Sequence, residues 1–208
     1  MVQHYRSAME ALRINLVLAL LLFQVTVVFS ITDSNDVDIL NQFRKGLENP
    51  ELLQWPENGD DPCGSGWKHV FCAGNRVSQI QVKGLGLKGP LPQNLNKLSR
   101  LENLGLQRNN FSGMIPSLSG LSELKFAYLD FNEFDSIPLD FFDGLVSLQV
   151  MALDYNDLNA TAGWSLPVEL QNSAQLRNLS CMSCNLVGPL PDFLGSMSSL
   201  AVLEIVSE

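Results

Sequence analysis

Histidine is nearly absent from this chain of 208 residues, which contains only His4 and His69. Acid–base catalysis and zinc coordination depend on histidine more often than on any other side chain. The sequence also lacks the G-x-S-x-G, H-E-x-x-H and G-x-x-x-x-G-K-[ST] patterns that position a nucleophile, a zinc ion or a nucleotide phosphate. We therefore expect no enzymatic activity, no cofactor and no metal site.

Basic side chains are also scarce, with 13 lysines and arginines against 22 aspartates and glutamates and a formal charge of −9. Loss of the first 30 residues would remove Arg6, Arg13 and Glu10 and would change this charge from −9 to −10. An acidic protein repels the phosphate backbone of DNA and RNA. We therefore expect no nucleic-acid partner.

Long apolar runs are confined to the amino terminus. Residues 14–30 carry no charge and follow Arg6 and Arg13, with the small residue Ser30 at the end. This layout predicts a cleaved secretory signal peptide over residues 1–30. A membrane-anchoring helix is the alternative, although about 17 residues is the lower limit for spanning a bilayer. N-x-S/T sequons at Asn110, Asn159 and Asn178 fit the secretory pathway and are candidate glycosylation sites.

A repeat is the strongest pattern in the chain. The template L-x-x-L-x-L-x-x-N/C-x-L matches five successive rows and the start of a sixth, with row starts 24, 23, 24, 28 and 24 residues apart. Leucine-rich repeats have periods of about 20–29 residues. Residues 77–208 are therefore predicted to form a leucine-rich-repeat solenoid with five full repeats and a truncated sixth. The rows are Val77, Ile80, Val82 and Leu87; Leu101, Leu104, Leu106, Asn109 and Phe111; Leu124, Ala127, Leu129, Asn132 and Phe134; Leu148, Met151, Leu153, Asn156 and Leu158; Leu176, Leu179, Cys181, Cys184 and Leu186; and Leu200, Leu203 and Ile205.

The repeat also explains a nucleotide-loop pattern. Gly84, Gly86 and Gly89 match G-x-G-x-x-G, but Pro90 and Pro92 follow at once and obstruct the helix that a phosphate loop must open. The tetrapeptide G-P-L-P at 89–92 recurs at 188–191. We interpret both segments as turns between solenoid layers.

The cysteines divide into two pairs. Cys63 and Cys72 lie near each other, and in an oxidising compartment we expect them to form a disulfide that contributes roughly 2–3 kcal/mol. Cys181 and Cys184 occupy inward positions of the fifth row, so we expect two small buried side chains instead of a metal site. If the segment is extended, about 10 Å separates their Cα atoms, which predicts no bridge between them.

Residues 31–76 are predicted to form a cap on the first repeat. Asp33 and Ser34 are candidate helix N-caps, Gly46 and Pro50 end the helix, and its apolar residues recur at helical spacing at Val37, Leu40, Phe43 and Leu47. The following polar segment, with Trp67 and the cysteine pair, would shield the apolar end of the solenoid from water.

Two segments resemble a known family. "DDPCGSGWKHVFC" at 60–72 resembles the N-terminal cap of plant leucine-rich-repeat receptors. "SLSGLSELKFAYLDFNEFDSIPLDFFDGLVSLQ" at 117–149, followed by "LVGPLPDFLG" at 186–195, is similar to the ectodomain of the transmembrane-kinase subfamily of plant receptor-like kinases. The resemblance covers about residues 33 to 208.

The resemblance implies an α/β solenoid, a leucine-rich-repeat horseshoe with a helical, disulfide-stapled N-terminal cap. It implies an extracellular module at the plasma membrane that recognises a protein or peptide, such as an auxin-binding protein or a co-receptor ectodomain, in growth and auxin-type signalling. We find no C-terminal cap, membrane span or kinase sequence, and expect those parts in a segment that is missing here. A secreted, stand-alone repeat protein that acts as a decoy or inhibitor is the alternative.

The predicted binding surface is the concave strand face of rows two to four. An apolar centre of Phe126, Tyr128 and Tyr155 would lie within a charged rim of Arg108, Asp130 and Asp154. Aromatic residues that only pack across neighbouring strands are the alternative. A glycan on Asn178 would screen one end of this face. The full predicted set is Gln107, Arg108, Phe126, Tyr128, Asp130, Phe131, Val150, Asp154 and Tyr155.

Overall fold

The computed structural model describes residues 31–57, 59, 61–64 and 66–205. The predicted signal peptide over residues 1–30 and the last three residues of the predicted sixth repeat lie outside the described residues. Within the described part, no helix is long and apolar enough to cross a membrane.

The cap begins with helix α1, Ser34–Gly46. The Asp33 carboxylate accepts a hydrogen bond from the Asn35 amide and caps the helix, while Ile39, Leu40 and Phe43 are buried beneath it. A 3₁₀ helix follows at Pro50–Leu53. The predicted disulfide joins Cys63 to Cys72 with 5.5 Å between their Cα atoms.

A buried ion pair fastens the cap to the first repeat. Asp36 is fully buried in α1, and its carboxylate accepts hydrogen bonds from Arg76 Nη2 at 2.8 Å and from the Val77 backbone amide at 2.8 Å. Because the charge is paired and hydrogen-bonded on both sides, its burial is offset. The cap and the solenoid therefore meet through a paired buried charge, and Asn49 adds hydrogen bonds to the Gly86 carbonyl and the Lys88 amide.

The described part of the chain forms two sheets. The strands are β1 Val70–Ala73, β2 Arg76–Gln81, β3 Lys88–Pro90, β4 Asn103–Gly105, β5 Asn110–Met114, β6 Phe126–Tyr128, β7 Glu133–Ser136, β8 Val150–Ala152, β9 Asn178–Ser180 and β10 Val202–Glu204. A seven-stranded sheet runs in the order β1-β2-β4-β6-β8-β9-β10, and a three-stranded sheet runs in the order β3-β5-β7. β1 pairs antiparallel with β2, and every later pair is parallel, as expected when each repeat contributes one strand to a sheet. This architecture confirms the predicted solenoid and its capped start.

Short 3₁₀ helices return the chain to the next strand. They lie at Leu95–Lys97, Val168–Asn172 and Asp192–Ser196. Between the strands and these turns runs one continuous apolar core, in which the apolar residues and cysteines of rows one to five are less than 2% exposed, apart from Leu186, which is half-buried.

Asparagine side chains connect successive repeats inside the core. Asn132 Nδ2 donates to the Leu129 carbonyl at 2.9 Å and to the Leu106 carbonyl at 3.2 Å, and its Oδ1 accepts from the Phe111 amide at 3.2 Å. Asn109 and Asn156 make the same three kinds of bond one repeat before and after it. Backbone groups that no sheet partner reaches are thereby satisfied.

The fifth row replaces this asparagine with a disulfide, so the prediction of two unpaired cysteines was wrong. Cys181 and Cys184 are bonded, with 5.4 Å between their Cα atoms instead of the 10 Å expected for an extended segment. The chain turns between them, because Ser183 has a left-handed backbone with φ 48°. Trp164 covers the pair and donates its indole N–H to the Cys184 carbonyl at 2.8 Å.

We predict that Asn132→Ala lowers the free energy of unfolding by about 2–4 kcal/mol, because buried backbone donors and acceptors lose their partner. Denaturant unfolding of the full chain measures this. Asn172→Ala is the matched control, since Asn172 is exposed at the end of a 3₁₀ helix. Equal losses for the two variants would contradict the proposed role of the asparagine.

Candidate functional site: the concave face and its edge

Strand alternation points one set of side chains to the concave face. Register pairs Asn103, Phe126, Val150 and Asn178 in one line across β4, β6, β8 and β9. A second line pairs Gly105, Tyr128, Ala152 and Ser180. Phe126, Tyr128 and Val150 are half-buried, so they form an apolar strip in the middle of the face.

Two carboxyl groups lie just beyond these strands. Asp154 is 7% exposed, and its carboxylate accepts hydrogen bonds from Ser180 Oγ at 2.5 Å and from the Met182 amide at 2.6 Å. Its side chain therefore holds row five in position and is less available to a partner than the predicted charged rim assumes. Asp130 is half-buried beside it.

Burial is the main cause that raises the pKa of the Asp130 carboxyl above its ordinary value, and the charge of Asp154 raises it further. The hydrogen bond from its own amide and the charges of Arg108 and Lys83 lower the pKa. The net effect is an Asp130 side chain that ionises less readily than a solvated aspartate.

The residues before Asn109, Asn132, Asn156 and Cys184 have a left-handed backbone, as does the residue before Leu85 at the same position of row one. We call these five residues the edge column: Gly84 with φ 65°, Arg108 with φ 60°, Phe131 with φ 54°, Tyr155 with φ 52° and Ser183 with φ 48°. A bulky residue in this conformation is strained and points to a function or a packing requirement. The Phe131 and Tyr155 side chains are 41% and 46% exposed, so they project out of the core.

Side chains of the edge column stack on one another. The Arg108 guanidinium lies 5.0 Å from the centre of the Phe131 ring, and the Phe131 and Tyr155 rings stack with centres 4.5 Å apart. Arginine above an aromatic face is an attractive cation–π arrangement. The stack is a preformed, exposed platform of three side chains.

The predicted binding residues therefore fall into two groups. Gln107, Phe126, Tyr128, Asp130, Val150 and Asp154 belong to the concave strands and the positions just after them, whereas Arg108, Phe131 and Tyr155 form the edge-column stack. The predicted cluster of Phe126, Tyr128 and Tyr155 is split between these groups, because Tyr155 stacks on Phe131. The binding role of both groups remains a prediction.

Sequence reasoning missed an amide cluster on rows one and two. Within the described part of the chain, Gln81 Nε2, Asn103 Oδ1 and Gln107 Oε1 are buried atoms without a hydrogen-bond partner. Gly105 makes room for them, since a Cβ there would lie 2.3 Å from Gln81 Oε1. The repeat register places Gln81 at the concave position of Tyr128 and Asn103 at that of Phe126.

The three sequons lie on different surfaces. Asn178 is exposed on β9 of the concave face, Asn110 is on β5 of the second sheet, and Asn159 is in the loop after row four. Asn110 Nδ2 donates to Glu133 at 2.6 Å. Whether each asparagine carries a glycan stays a prediction, and only Asn178 would place a glycan on the concave face.

An open cleft of about 940 Å³ lies beside the edge column. Its walls include Tyr155, Ser183 and the loop residues 160–163. Gly163 fits the loop against row five, because a Cβ there would lie 2.3 Å from Val187 Cγ1. The extra residues of row four thus build one wall of the cleft. Among the described residues, no group of three or more His, Cys, Asp or Glu side chains could hold a metal ion.

Comparison with known proteins agrees with this geometry. The family described as "Leucine rich repeat N-terminal domain" matches residues 33–73. The receptor-like kinase TMK2 of Arabidopsis thaliana is 37% identical over 191 residues, which is 89% of this chain and 21% of that protein. The chain has the architecture of a plant leucine-rich-repeat receptor-kinase ectodomain.

Solved structures show the same architecture. The Arabidopsis GASSHO1/SCHENGEN3 ectodomain, in complex with CASPARIAN STRIP INTEGRITY FACTOR 2, has TM-score 0.73 and 27% identity over 82% of this chain and 21% of its own. The Arabidopsis BIR3–SERK2 complex has TM-score 0.65 and 26% identity over 83% of this chain and 96% of the matched chain. The GASSHO1/SCHENGEN3 match is the leucine-rich-repeat ectodomain of a plant membrane receptor kinase.

We predict that Asp130→Asn raises the melting temperature by a few degrees at pH 7. A carboxyl whose pKa is raised on folding stabilises the fold while protonated, and this contribution is lost as the pH rises through the folded pKa. The gain of the variant should therefore vanish below about pH 3, where aspartate is neutral in both states. Thermal unfolding at both pH values measures it, with the exposed Asp140→Asn as control. A gain independent of pH would contradict the sign of the shift.

Proposed function

We propose that the concave face of this ectodomain recognises an extracellular protein or peptide at the plasma membrane. The observation that carries the proposal is the half-buried strip of Phe126, Tyr128 and Val150, which lies on the two adjacent strands β6 and β8 with Phe126 and Val150 in register. An apolar centre with a polar surround is the usual composition of a protein-recognition surface. Aromatic anchors supply most of the binding energy in such surfaces.

The amide cluster supports the same proposal. Gln81 on β2 has an unpaired donor, while Asn103 on β4 and Gln107 just after β4 have unpaired acceptors, and β4 is the neighbour of the Tyr128 strand β6. A peptide backbone carries both donors and acceptors, so a bound chain would satisfy these groups once the three half-buried side chains turn their amides outward. Together with the apolar strip, these groups form a continuous surface across rows one to four.

Asn178 sets the far boundary of this surface. Its register partner on β8 is Val150, so a glycan on Asn178 would stand directly beside the apolar strip. We expect partners to dock on rows one to four whenever this glycan is present. The unglycosylated protein would offer row five as well.

The relatives support the class of partner. One matched structure is a receptor-kinase ectodomain in complex with CASPARIAN STRIP INTEGRITY FACTOR 2, and another is the BIR3–SERK2 complex. This chain spans about a fifth of TMK2, and we propose that it is the sensing part of a longer receptor-like kinase. An extracellular auxin-binding protein and a co-receptor ectodomain are the partners that we propose to test first.

The test compares partner binding by the full chain and its variants in bio-layer interferometry. Immobilised auxin-binding protein and co-receptor ectodomains are the probes. We expect Phe126→Ala/Tyr128→Ala to weaken binding at least about tenfold, because hot-spot aromatics dominate such interfaces. Leu139→Ala is the matched control, since Leu139 is 97% exposed in the loop after β7 of the second sheet.

Unchanged affinity of the double variant towards a partner that binds the full chain would overturn the concave-face assignment. Equal weakening by Leu139→Ala would do the same. A microbial wall-degrading enzyme serves as a further probe, and its inhibition without any receptor binding would favour the secreted inhibitor instead.

A further inference from the structure

The stack of side chains in the edge column ends at Tyr155, one row before the last residue of the column. Arg108, Phe131 and Tyr155 stack in successive rows, and the next row carries Ser183 at the same left-handed backbone position. The equivalence is shown by hydrogen bonding, since the Phe131 amide donates to the Asp154 carbonyl and the Tyr155 amide donates to the Met182 carbonyl. A serine leaves empty the space that an aromatic ring or guanidinium fills in the three preceding rows.

The space above Ser183 opens into the cleft beside the edge column. Tyr155 and Ser183 both line the cleft, and Phe131 covers only one side of the Tyr155 ring. Tyr155 is 46% exposed, so part of the ring remains accessible from the cleft. The platform therefore ends in an aromatic surface that borders a space large enough for a long side chain.

The charged side chains that line the cleft in the described part of the chain are all acidic. Glu133, Asp135 and Asp157 line it, all are exposed, and within the described part of the chain no lysine, arginine or histidine does. Asp157 uses one oxygen to accept a hydrogen bond from Asn185 Nδ2 at 2.7 Å. The cleft thus combines an aromatic face with negative charge in a protein whose formal charge is −9.

We propose that this cleft binds an arginine side chain of an extracellular partner, with the guanidinium stacked on Tyr155 above Ser183. The inference rests on the proposed function, because it supplies one contact to the same kind of partner. The chain itself shows the arrangement at the other end of the stack, where Arg108 lies over Phe131.

Arginine fits better than the other side chains of similar length. Its guanidinium is planar, so it can stack on a ring and donate to a carboxylate such as Asp157 at the same time. Lysine carries a compact charge that cannot stack in this way. A neutral aromatic ring would continue the stack but would leave the nearby carboxylates without a counter-charge.

The experiment is a nuclear magnetic resonance titration of the isotope-labelled full chain with acetyl-arginine methylamide. The matched probe is acetyl-citrulline methylamide, which has the same shape and no charge. We expect arginine to shift the signals of Tyr155, Ser183 and Asp157, and citrulline to bind about fivefold or more weakly. Added salt should weaken only the arginine complex.

Ser183→Tyr tests the empty position directly. Tyrosine is tolerated on a left-handed backbone at 155, so the variant should fold and extend the stack into the cleft. We expect arginine binding to fall at least about fivefold, as the Tyr155 surface becomes covered.

Asp157→Asn keeps an acceptor for Asn185 and removes the charge, and it should weaken arginine binding even if Ser183→Tyr does not fold. Val168→Ala, at an exposed site that does not line the cleft, is the control.

Equal binding of arginine and citrulline would overturn the proposal, as would unchanged arginine binding in a folded Ser183→Tyr variant. Shifts of the same residues by a chitin oligomer but not by arginine would show a carbohydrate platform instead and would also overturn it. If the Phe126→Ala/Tyr128→Ala variant loses a protein partner while arginine gives no shifts, the concave-face function stands and this inference fails.

Discussion

The stacking of the repeats depends on hydrogen-bond partners for the buried backbone groups at the turns that follow the strands. Each repeat turns sharply after its strand, and carbonyls of two successive rows point into the core at that turn. Asn109, Asn132 and Asn156 meet them with one side-chain amide each. An unpaired buried carbonyl would cost about 1–3 kcal/mol at each of these three rows, so this contact is a condition for stacking rows two to four.

The same turn creates the exposed platform. For the asparagine side chain to point inward, the preceding residue takes a left-handed backbone, and its own side chain then projects outward. Arg108, Phe131 and Tyr155 occupy that position, although glycine would adopt it with less strain. Gly84 shows that the first row uses glycine there. The strained residues therefore expose a cation and two rings without disturbing the core beneath them.

The repeat pattern predicted most of the fold because inward and outward positions alternate strictly along each short strand. Leu104, Ala127, Met151 and Leu179 all proved to be buried, whatever their size. The pattern failed where the outcome depends on a backbone angle or on a distant partner. Ser183 gives no sequence signal for its left-handed turn, so the Cys181–Cys184 bridge was missed. Asp154 is buried because Ser180 and the Met182 amide, which lie 26 and 28 residues later, bind its carboxylate.

The surfaces proposed for recognition coincide with departures from the repeat. Gly105 takes the place of a larger concave residue, and the amides of Gln81 and Gln107 occupy the space it leaves. Ser183 interrupts the stack, and the longer fourth row adds the loop that walls the cleft. None of these changes disturbs the sheet, since β8 and β9 still pair in register from Val150 with Asn178 to Ala152 with Ser180. The regular positions thus maintain the scaffold, so partner specificity can change at the irregular ones with little effect on folding.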